Sequence, residues 1–192
     1  LAGCAIATIF VSLFNGRVVQ RILTPLVAVG FLIAAGVLFA IQIGNPDPSV
    51  LSGALRIDDL GMVFNLLFIS AALCATVLAW RSTTLVEAGH GEFFALLLAC
   101  IAGMAFFVGA ANLMTLFLSL EWFSIALYVL CAIDYDREGS LEAGLKYLTV
   151  GSFGSAGLLF GSAPVYGSTR RPCFEEIAPA GGAQSLPGAA RP

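Results

Sequence analysis

The chain alternates long apolar runs with short polar connections. The four longest runs without Asp, Glu, Lys or Arg cover residues 22–46, 60–80, 93–120 and 147–169. An uncharged apolar run of about 18 residues or more is long enough to cross a bilayer as a helix. The strict alternation of apolar and polar positions that indicates strands is not visible. The pattern therefore predicts an all-α, polytopic bundle of transmembrane helices.

We predict about six spans, each an apolar run bounded by polar or turn-forming residues. The predicted spans cover residues 1–14, 22–43, 60–80, 93–110, 112–133 and 143–167. Pro25 would lie in the first turn of the second span, where proline is tolerated. Asp58 or Asp59 is available to cap the third span, and Ser140 to cap the sixth.

Composition supports the membrane assignment and excludes several classes of function. The 192 residues are 59% apolar and 11% charged, whereas a soluble domain carries about 25% charged residues. The net charge of −3 with no basic patch argues against a nucleic-acid partner. The five cysteines are dispersed, without a CxxC motif, and His90 is the single histidine. This pattern predicts no disulfide framework and no zinc, haem or iron–sulfur site in the chain.

Basic residues in the short connections predict the orientation in the membrane. The connections after the first, third and fifth spans carry four arginines, and those after the second and fourth carry one. The four are Arg17, Arg21, Arg81 and Arg137, and the single one is Arg56. Because cytoplasmic loops are enriched in Lys and Arg, the first group is predicted to face the cytoplasm and the N-terminus to face outside. Arg170, Arg171 and Arg191 run against this rule.

Both ends of the chain depart from a regular span. The chain begins at Leu1 inside an apolar run, without the charged region of a signal peptide, so we interpret the start as a fragment boundary within a helix. Residues 168–192 read STRRPCFEEIAPAGGAQSLPGAARP, which lacks an apolar period. That composition predicts a disordered tail, and a truncated or frameshifted product of a longer gene is the interpretation we favour.

Glu121 is the most informative position for function. It lies near the middle of the fifth predicted span, in NLMTLFLSLEWFSIALYVL. An ionised group at this depth costs at least ~3 kcal/mol, so such residues normally face a bundle interior or a water-filled cavity. Desolvation favours the protonated form of the carboxyl. A carboxyl that gains and loses a proton would suit transport; the alternative is a structural hydrogen bond between helices.

Lys146 is a second candidate, about one turn into the sixth predicted span, in SLEAGLKYLTV. Burial would lower its proton affinity and suit a proton relay. Glu142 lies four residues earlier, however, and a Glu-to-Lys pair at that spacing stabilises an exposed helix surface. The residues alone leave these two roles open. Gly151, Gly154, Gly157 and Gly161 recur in the same span and predict close helix packing.

Residues 55–167 resemble subunit N of NADH-quinone oxidoreductase. The matching segments are LRIDDLGMVFNLLF, GEFFALLLACIAGMAFFVGAANLMTLFLSLEWFSIALYVLCAI and SLEAGLKYLTVGSFGSAGLLFGSAPVYG. The LE pair at Glu121 followed by EAxLKY at Lys146 resembles subunit N more than its paralogues. Pro164 stands where the family usually has an aliphatic residue, and a proline this deep in a helix can kink it.

The resemblance implies an antiporter-like fold of about fourteen helices, in which Glu121 matches a proton-translocating glutamate and Lys146 a relay lysine. It implies a subunit of an enzyme complex that couples NADH oxidation and quinone reduction to proton pumping across the inner (plasma) membrane. NADH, FMN, iron–sulfur clusters and quinone would be handled by the rest of the complex, and other membrane subunits would be partners. The alternatives are a Mrp-type cation/proton antiporter, a hydrogenase-linked complex, or a structural membrane protein.

Overall fold

The computed structural model describes residues 17–42, 54–56, 58–80, 90–170 and 172–177. Five helices lie within these residues and correspond to the second to sixth predicted spans. They are α1 (Arg17–Gln42), α2 (Asp59–Trp80), α3 (His90–Val108), α4 (Leu113–Cys131) and α5 (Glu138–Thr169). The predicted span 1–14 lies outside the described residues. The all-α class is confirmed.

Length and surface chemistry make this helical bundle a multi-pass membrane protein. Within the described residues, α2, α3, α4 and α5 are each long and apolar enough to cross a bilayer, and α1 has a shorter apolar stretch, Pro25–Leu38. Large apolar side chains also cover the outside of the bundle, including Leu78, Phe153 and Phe160, which are 78%, 84% and 81% exposed. Apolar surface of this extent is stable in contact with lipid and unfavourable in contact with water.

The helices pack as a three-helix cluster with two further helices added in sequence. α1, α2 and α3 contact one another, α4 packs against α3, and α5 packs against α4. Phe94 and Leu98 of α3 are completely buried in the cluster, together with Leu32 of α1 and Ile69 and Ala72 of α2. α4 therefore lies between α3 and α5, with a packed helix on either side.

The helices extend beyond the apolar runs from which they were predicted. α1 begins at Arg17 and not at residue 22, so Pro25 is buried inside the helix instead of lying in its first turn. Residues 17–21, RVVQR, continue the helix because arginine and glutamine are good helix formers. Likewise His90, predicted in a loop, is the first residue of α3. Charge-free runs mark where a helix crosses the membrane, but not where it ends.

α5 shows the same effect at both ends. It spans 32 residues, from Glu138 to Thr169, and runs through Pro164; at 1.5 Å per residue its length is ~48 Å. Ser140 does not cap it. The Ser140 hydroxyl donates to the carbonyl oxygen of Cys131, at 2.9 Å, and so satisfies the last turn of α4. The N-cap of α5 is Arg137, which makes no side-chain capping hydrogen bond.

Three connecting segments meet at one end of the bundle, which we call the loop end: residues 54–56, 109–112 and 172–174. The Arg56 amide donates to Gly109 (2.8 Å) and the Ala111 amide to Ala54 (3.1 Å), while the Phe174 amide donates to Ala111 (3.1 Å). The α3–α4 connection is thus held from both sides. At its end, the Asn112 side chain caps α4 by accepting from the Thr115 amide at 2.7 Å.

Part of the predicted tail is ordered at the loop end. Residues 168 and 169 belong to α5, and residues 172–177 are fixed by backbone hydrogen bonds to the α3–α4 connection. This differs from the disordered tail predicted from residue 168, because composition does not reveal pairing with a distant segment. Arg56 also forms ion pairs with Asp58 and Glu175. Residues 178–192 lie outside the described residues.

Candidate functional site

Glu121 lies near the middle of α4. It is eight residues after Leu113, the first residue of the helix, which places it ~12 Å from that end of a helix ~28 Å long. Its side chain is half-buried, and its Oε1 atom is buried with no hydrogen-bond partner among the described residues. A buried charged oxygen without a partner is costly. Glu121 is therefore the carboxyl that this geometry singles out as the candidate site.

On one side of this carboxylate, α3 and α4 approach very closely. A Cβ atom on Gly103 of α3 would lie 2.8 Å from both the backbone nitrogen of Phe123 and the Cδ1 atom of Trp122. The Trp122 indole also donates from Nε1 to the carbonyl oxygen of Ala99, at 3.1 Å. The two residues that follow Glu121 are thus held against α3, which fixes the depth and rotation of α4 at the site.

On the other side, α4 and α5 run antiparallel in a register set by two glycines. A Cβ atom on Gly144 would lie 2.7 Å from the Cβ of Ala132, and one on Gly151 would lie 2.8 Å from ring atoms of Tyr128. Glu121 is seven residues before Tyr128, so it lies at the level of Leu158, seven residues after Gly151. The predicted packing role is observed for Gly151, whereas the added Cβ meets nothing within 4 Å at Gly154, Gly157 or Gly161.

Lys146 lies away from this level. The Lys146 Nζ atom is 2.6 Å from Glu142 Oε1, and the two side chains are 74% and 66% exposed. Lys146 is twelve residues from Leu158, an axial separation of ~18 Å from the level of Glu121. The structure therefore does not bring the two predicted site residues together, and it shows Lys146 in the exposed i,i+4 pair.

A second buried polar atom was not singled out from the sequence. Asn65 of α2 is 8% exposed, and its Oδ1 atom has no hydrogen-bond partner among the described residues. A single uncharged polar residue in an apolar run carries no pattern that reveals burial. The described residues contain no group of three or more His, Cys, Asp or Glu side chains placed to hold a metal ion.

The sequence of this chain is similar to that of a well-defined set of membrane subunits. It is 36% identical over 167 residues to NADH-quinone oxidoreductase subunit N 2 of Roseiflexus castenholzii, with 87% of this chain covered. It is 34% identical over 180 residues to subunit N 1 of Rhizobium meliloti, with 94% covered. It is 36% identical over 173 residues to NAD(P)H-quinone oxidoreductase subunit 2 of a Synechococcus species, with 90% covered.

Over most of its length, the chain resembles part of subunit N of NADH-quinone oxidoreductase. A sequence model of the family described as NADH:quinone oxidoreductase/Mrp antiporter matches residues 110–186, which include Glu121 and Lys146. That match also includes residues 168–186, most of the segment that was predicted to be a disordered tail. The fold agrees: a chain from respiratory complex I of Thermus thermophilus, solved with bound aureothin, superimposes with a TM-score of 0.75 at 26% identity.

The alignments cover most of this chain but only about a third of each relative. The alignments span 33%, 37% and 33% of the three relatives from Roseiflexus, Rhizobium and Synechococcus. The structural match covers 94% of this chain and 40% of the complex I chain. The chain thus spans about a third of the length of the curated subunit N relatives that it matches.

Proposed function

We propose that this chain is part of a proton-translocating membrane subunit of NADH:quinone oxidoreductase, in which Glu121 carries the proton. The supporting observation is the buried Oε1 atom of Glu121, near the middle of a membrane-spanning helix and without a partner among the described residues. Carboxyl side chains at this depth normally face a bundle interior or a water-filled cavity, and they are characteristic of proton relays in pumps and transporters.

The surrounding helices position this carboxyl. α4 is fixed at Gly103 on one side and at Gly144 and Gly151 on the other, so Glu121 keeps its depth while its side chain changes protonation. Lys146 is the second residue we propose for the path. It lies toward the opposite end of the bundle from the loop end, near the membrane surface. There, a lysine that releases its proton could exchange protons between water and the buried carboxyl.

The redox reaction belongs to other subunits in this proposal. The relatives carry the names of subunits of an NADH-quinone oxidoreductase, and the dispersed cysteines of this chain do not have the spacing of iron–sulfur ligands. NADH, FMN, iron–sulfur clusters and quinone would therefore be bound elsewhere in the complex. Other membrane subunits are the proposed partners, and the bacterial inner membrane is the proposed location, with the loop end outside.

Replacement of Glu121 by Gln in the full-length protein tests the proposal. In membrane vesicles that contain the assembled complex, we expect NADH-driven proton uptake to fall well below the wild-type level, because glutamine keeps the shape but cannot carry the proton. Glu138→Gln is the matched control, since Glu138 is exposed in the first turn of α5. Wild-type proton uptake in Glu121→Gln vesicles would favour a purely structural role for this residue.

A Mrp-type antiporter subunit is the second candidate, because the matching family description names both classes. The two differ in their driving force. An antiporter would exchange Na⁺ for protons in vesicles that are given a sodium gradient and no NADH. We expect vesicles that contain the complex to acidify on addition of NADH and to be indifferent to a sodium gradient.

A further inference from the structure

Asn65 is a buried polar residue in the apolar core of the three-helix cluster. It belongs to a stripe along α2 whose other buried members are Met62, Ile69, Ala72, Thr76 and Ala79. Thr76 is the other polar member, and its hydroxyl donates to the carbonyl oxygen of Ala72 at 2.8 Å. Thr76 is thus satisfied by its own helix, whereas the Asn65 Oδ1 atom has no hydrogen-bond partner within the described part of the chain.

An amide oxygen buried without a hydrogen bond is destabilising, because it has lost its hydrogen bonds to water and gained none in the protein. Methionine or isoleucine, which fill the neighbouring positions 62 and 69 of the stripe, would avoid this cost. Buried polar groups in native proteins are normally satisfied by protein or by ordered water. The Asn65 carboxamide therefore has the chemistry of a water-binding group.

The depth of Asn65 follows from two close contacts between helices. Gly61 of α2 lies against Val108 of α3, with 3.3 Å between an added Cβ and the Val108 Cγ1 atom. Because α2 and α3 are antiparallel, Asn65, four residues after Gly61, lies at the level of Met104. Its neighbour Gly103 lies against residues 122 and 123 of α4. Asn65 therefore lies at nearly the same membrane depth as Glu121.

Distances along the helices give the same result. Asn65 is six residues after the first residue of α2, and Glu121 is eight residues after the first residue of α4. Both helices begin at the loop end, so the two residues lie ~9 Å and ~12 Å from it. Between Glu121 and the loop end, the described parts of α2, α3 and α4 hold no charged side chain except Asp59 at the very start of α2. Proton passage through this half of the membrane then depends on water and on neutral polar groups.

We propose that the Asn65 carboxamide binds water at the depth of Glu121 and is a positioning residue for proton transfer between Glu121 and the loop end. This inference rests on the proposed function of Glu121. The Oδ1 atom accepts a hydrogen bond from the water, whose other hydrogen and lone pairs remain free to connect with further waters. Asn65 itself neither gains nor loses a proton.

Accessibility tests the water site independently of activity. In the full-length protein with all native cysteines replaced, Asn65→Cys should react with a small, membrane-impermeant, water-soluble thiol reagent added from the loop-end side. Thr76→Cys should remain unreacted. Thr76 lies on the same buried stripe, but its hydroxyl is hydrogen-bonded within its own helix. Equal, negligible labelling of both cysteines would overturn the water site.

Proton transfer tests the positioning role. Asn65→Leu should retain NADH oxidation and lose most of the proton translocation, while Thr76→Val retains both. Thermal unfolding of Asn65→Leu in detergent checks for misfolding: removal of a buried amide that has no protein partner, together with its water, should leave the midpoint unchanged or raised. Asn65→Ser, which keeps a water-binding hydroxyl, should recover part of the translocation.

The two proposals can fail separately. Wild-type translocation by Asn65→Leu alongside a defective Glu121→Gln would overturn the role of Asn65 and leave that of Glu121 standing. Wild-type translocation by both variants would overturn the proposed function itself. An Asn65→Leu protein that unfolds at a markedly lower temperature would show that the amide is satisfied by a protein partner, which also contradicts the water site.

Discussion

Gly103 of α3 lies against Phe123 of α4 so closely that a Cβ atom on the glycine would come within 2.8 Å of the Phe123 backbone nitrogen. The obstructing atom belongs to the backbone, so it cannot move aside by a change of rotamer. The contact lies two residues from Glu121 along α4. Helix packing and the position of the candidate proton carrier are therefore determined at the same level of the bundle.

Gly103→Ala should displace α4 from α3. We expect it to lower the free energy of unfolding by about 1–3 kcal/mol, as overpacking usually does, and to reduce proton translocation, because Glu121 moves with α4. Unfolding in mixed micelles and vesicle acidification measure the two effects. Gly30→Ala is the control, since nothing lies within 4 Å of the added Cβ there. Equal stability of the two variants would show that the contact between α3 and α4 is looser than the structure indicates.

The α4–α5 contact allows a test with a rescuing second substitution. Gly151→Ala should be destabilising because its Cβ meets the Tyr128 ring. In a Tyr128→Leu background the ring is gone, and the same change should be neutral or stabilising, since alanine favours a helix by about 1 kcal/mol over glycine. A double-mutant cycle on the free energy of unfolding measures this coupling. Additive effects would mean that the two residues do not touch.

The existence and type of the helices could be predicted from the sequence, because uncharged apolar runs and membrane spans share one physical cause. Helix ends could not. Arg17 to Arg21 continue α1, and Glu138 opens α5 five residues before the predicted start. Both extensions contain charged residues and lie outside the charge-free runs. Ser140 was predicted to cap the helix that it belongs to and instead satisfies Cys131 of the preceding one, which depends on how two helices meet.

The candidate site was predictable in part. A carboxylate in the middle of an apolar run is itself a signal, so Glu121 was found. Asn65 was not singled out, because one uncharged amide interrupts an apolar run less than a charge does, and only packing shows that its oxygen lacks a partner among the described residues. The same holds for the glycines: Gly103, Gly144 and Gly151 make close contacts, whereas Gly154 and Gly157 do not. Sequence spacing alone does not distinguish the two groups.

The docked segment 172–177 can be tested by a substitution that removes one hydrogen bond. Phe174 is the first residue of the helical turn 174–177, where proline fits the backbone. Phe174→Pro abolishes the amide donor to Ala111 and should release the segment, seen as faster hydrogen–deuterium exchange and proteolysis. Phe174→Ala, which loses the ring but keeps the donor, is the control. Glu175→Gln should matter little, because its ion pair with Arg56 is exposed.

The ion pair between Arg56 and Glu175 should not respond to pH through Arg56. The hydrogen bond and charge of Asp58, followed by the charge of Glu175, raise the pKa of Arg56 above its ordinary value. A raised pKa keeps the guanidinium protonated at every pH at which the protein functions. The positive charge of the ion pairs with Asp58 and Glu175 is therefore present across that range. We therefore expect exchange protection of residues 172–177 to be flat between about pH 6 and pH 9. A sharp loss of protection in this interval would indicate another titrating group at the loop end.

Lys146→Arg separates the two roles that the sequence left open for this residue. The structure shows Lys146 paired with Glu142 at 2.6 Å and largely exposed, which is an arrangement that arginine reproduces. Arginine, however, does not release its proton at any physiological pH, whereas a lysine can. A surface pair would therefore tolerate the change and a proton relay would not. Lys146 lies eight residues after Glu138, or ~12 Å along a helix that is ~18 Å longer than the hydrocarbon core, a position compatible with either role.

That position is close to the membrane surface farthest from the loop end, where a proton path to Glu121 would begin. We expect Lys146→Arg to leave NADH oxidation measurable and to lower the number of protons translocated per NADH. Glu142→Gln, which breaks the same ion pair without removing the lysine, should translocate nearly as the wild type does, since exposed pairs contribute little to stability. If Lys146→Arg translocates normally, Lys146 is a surface partner of Glu142, and the proton must reach Glu121 through groups outside the described residues.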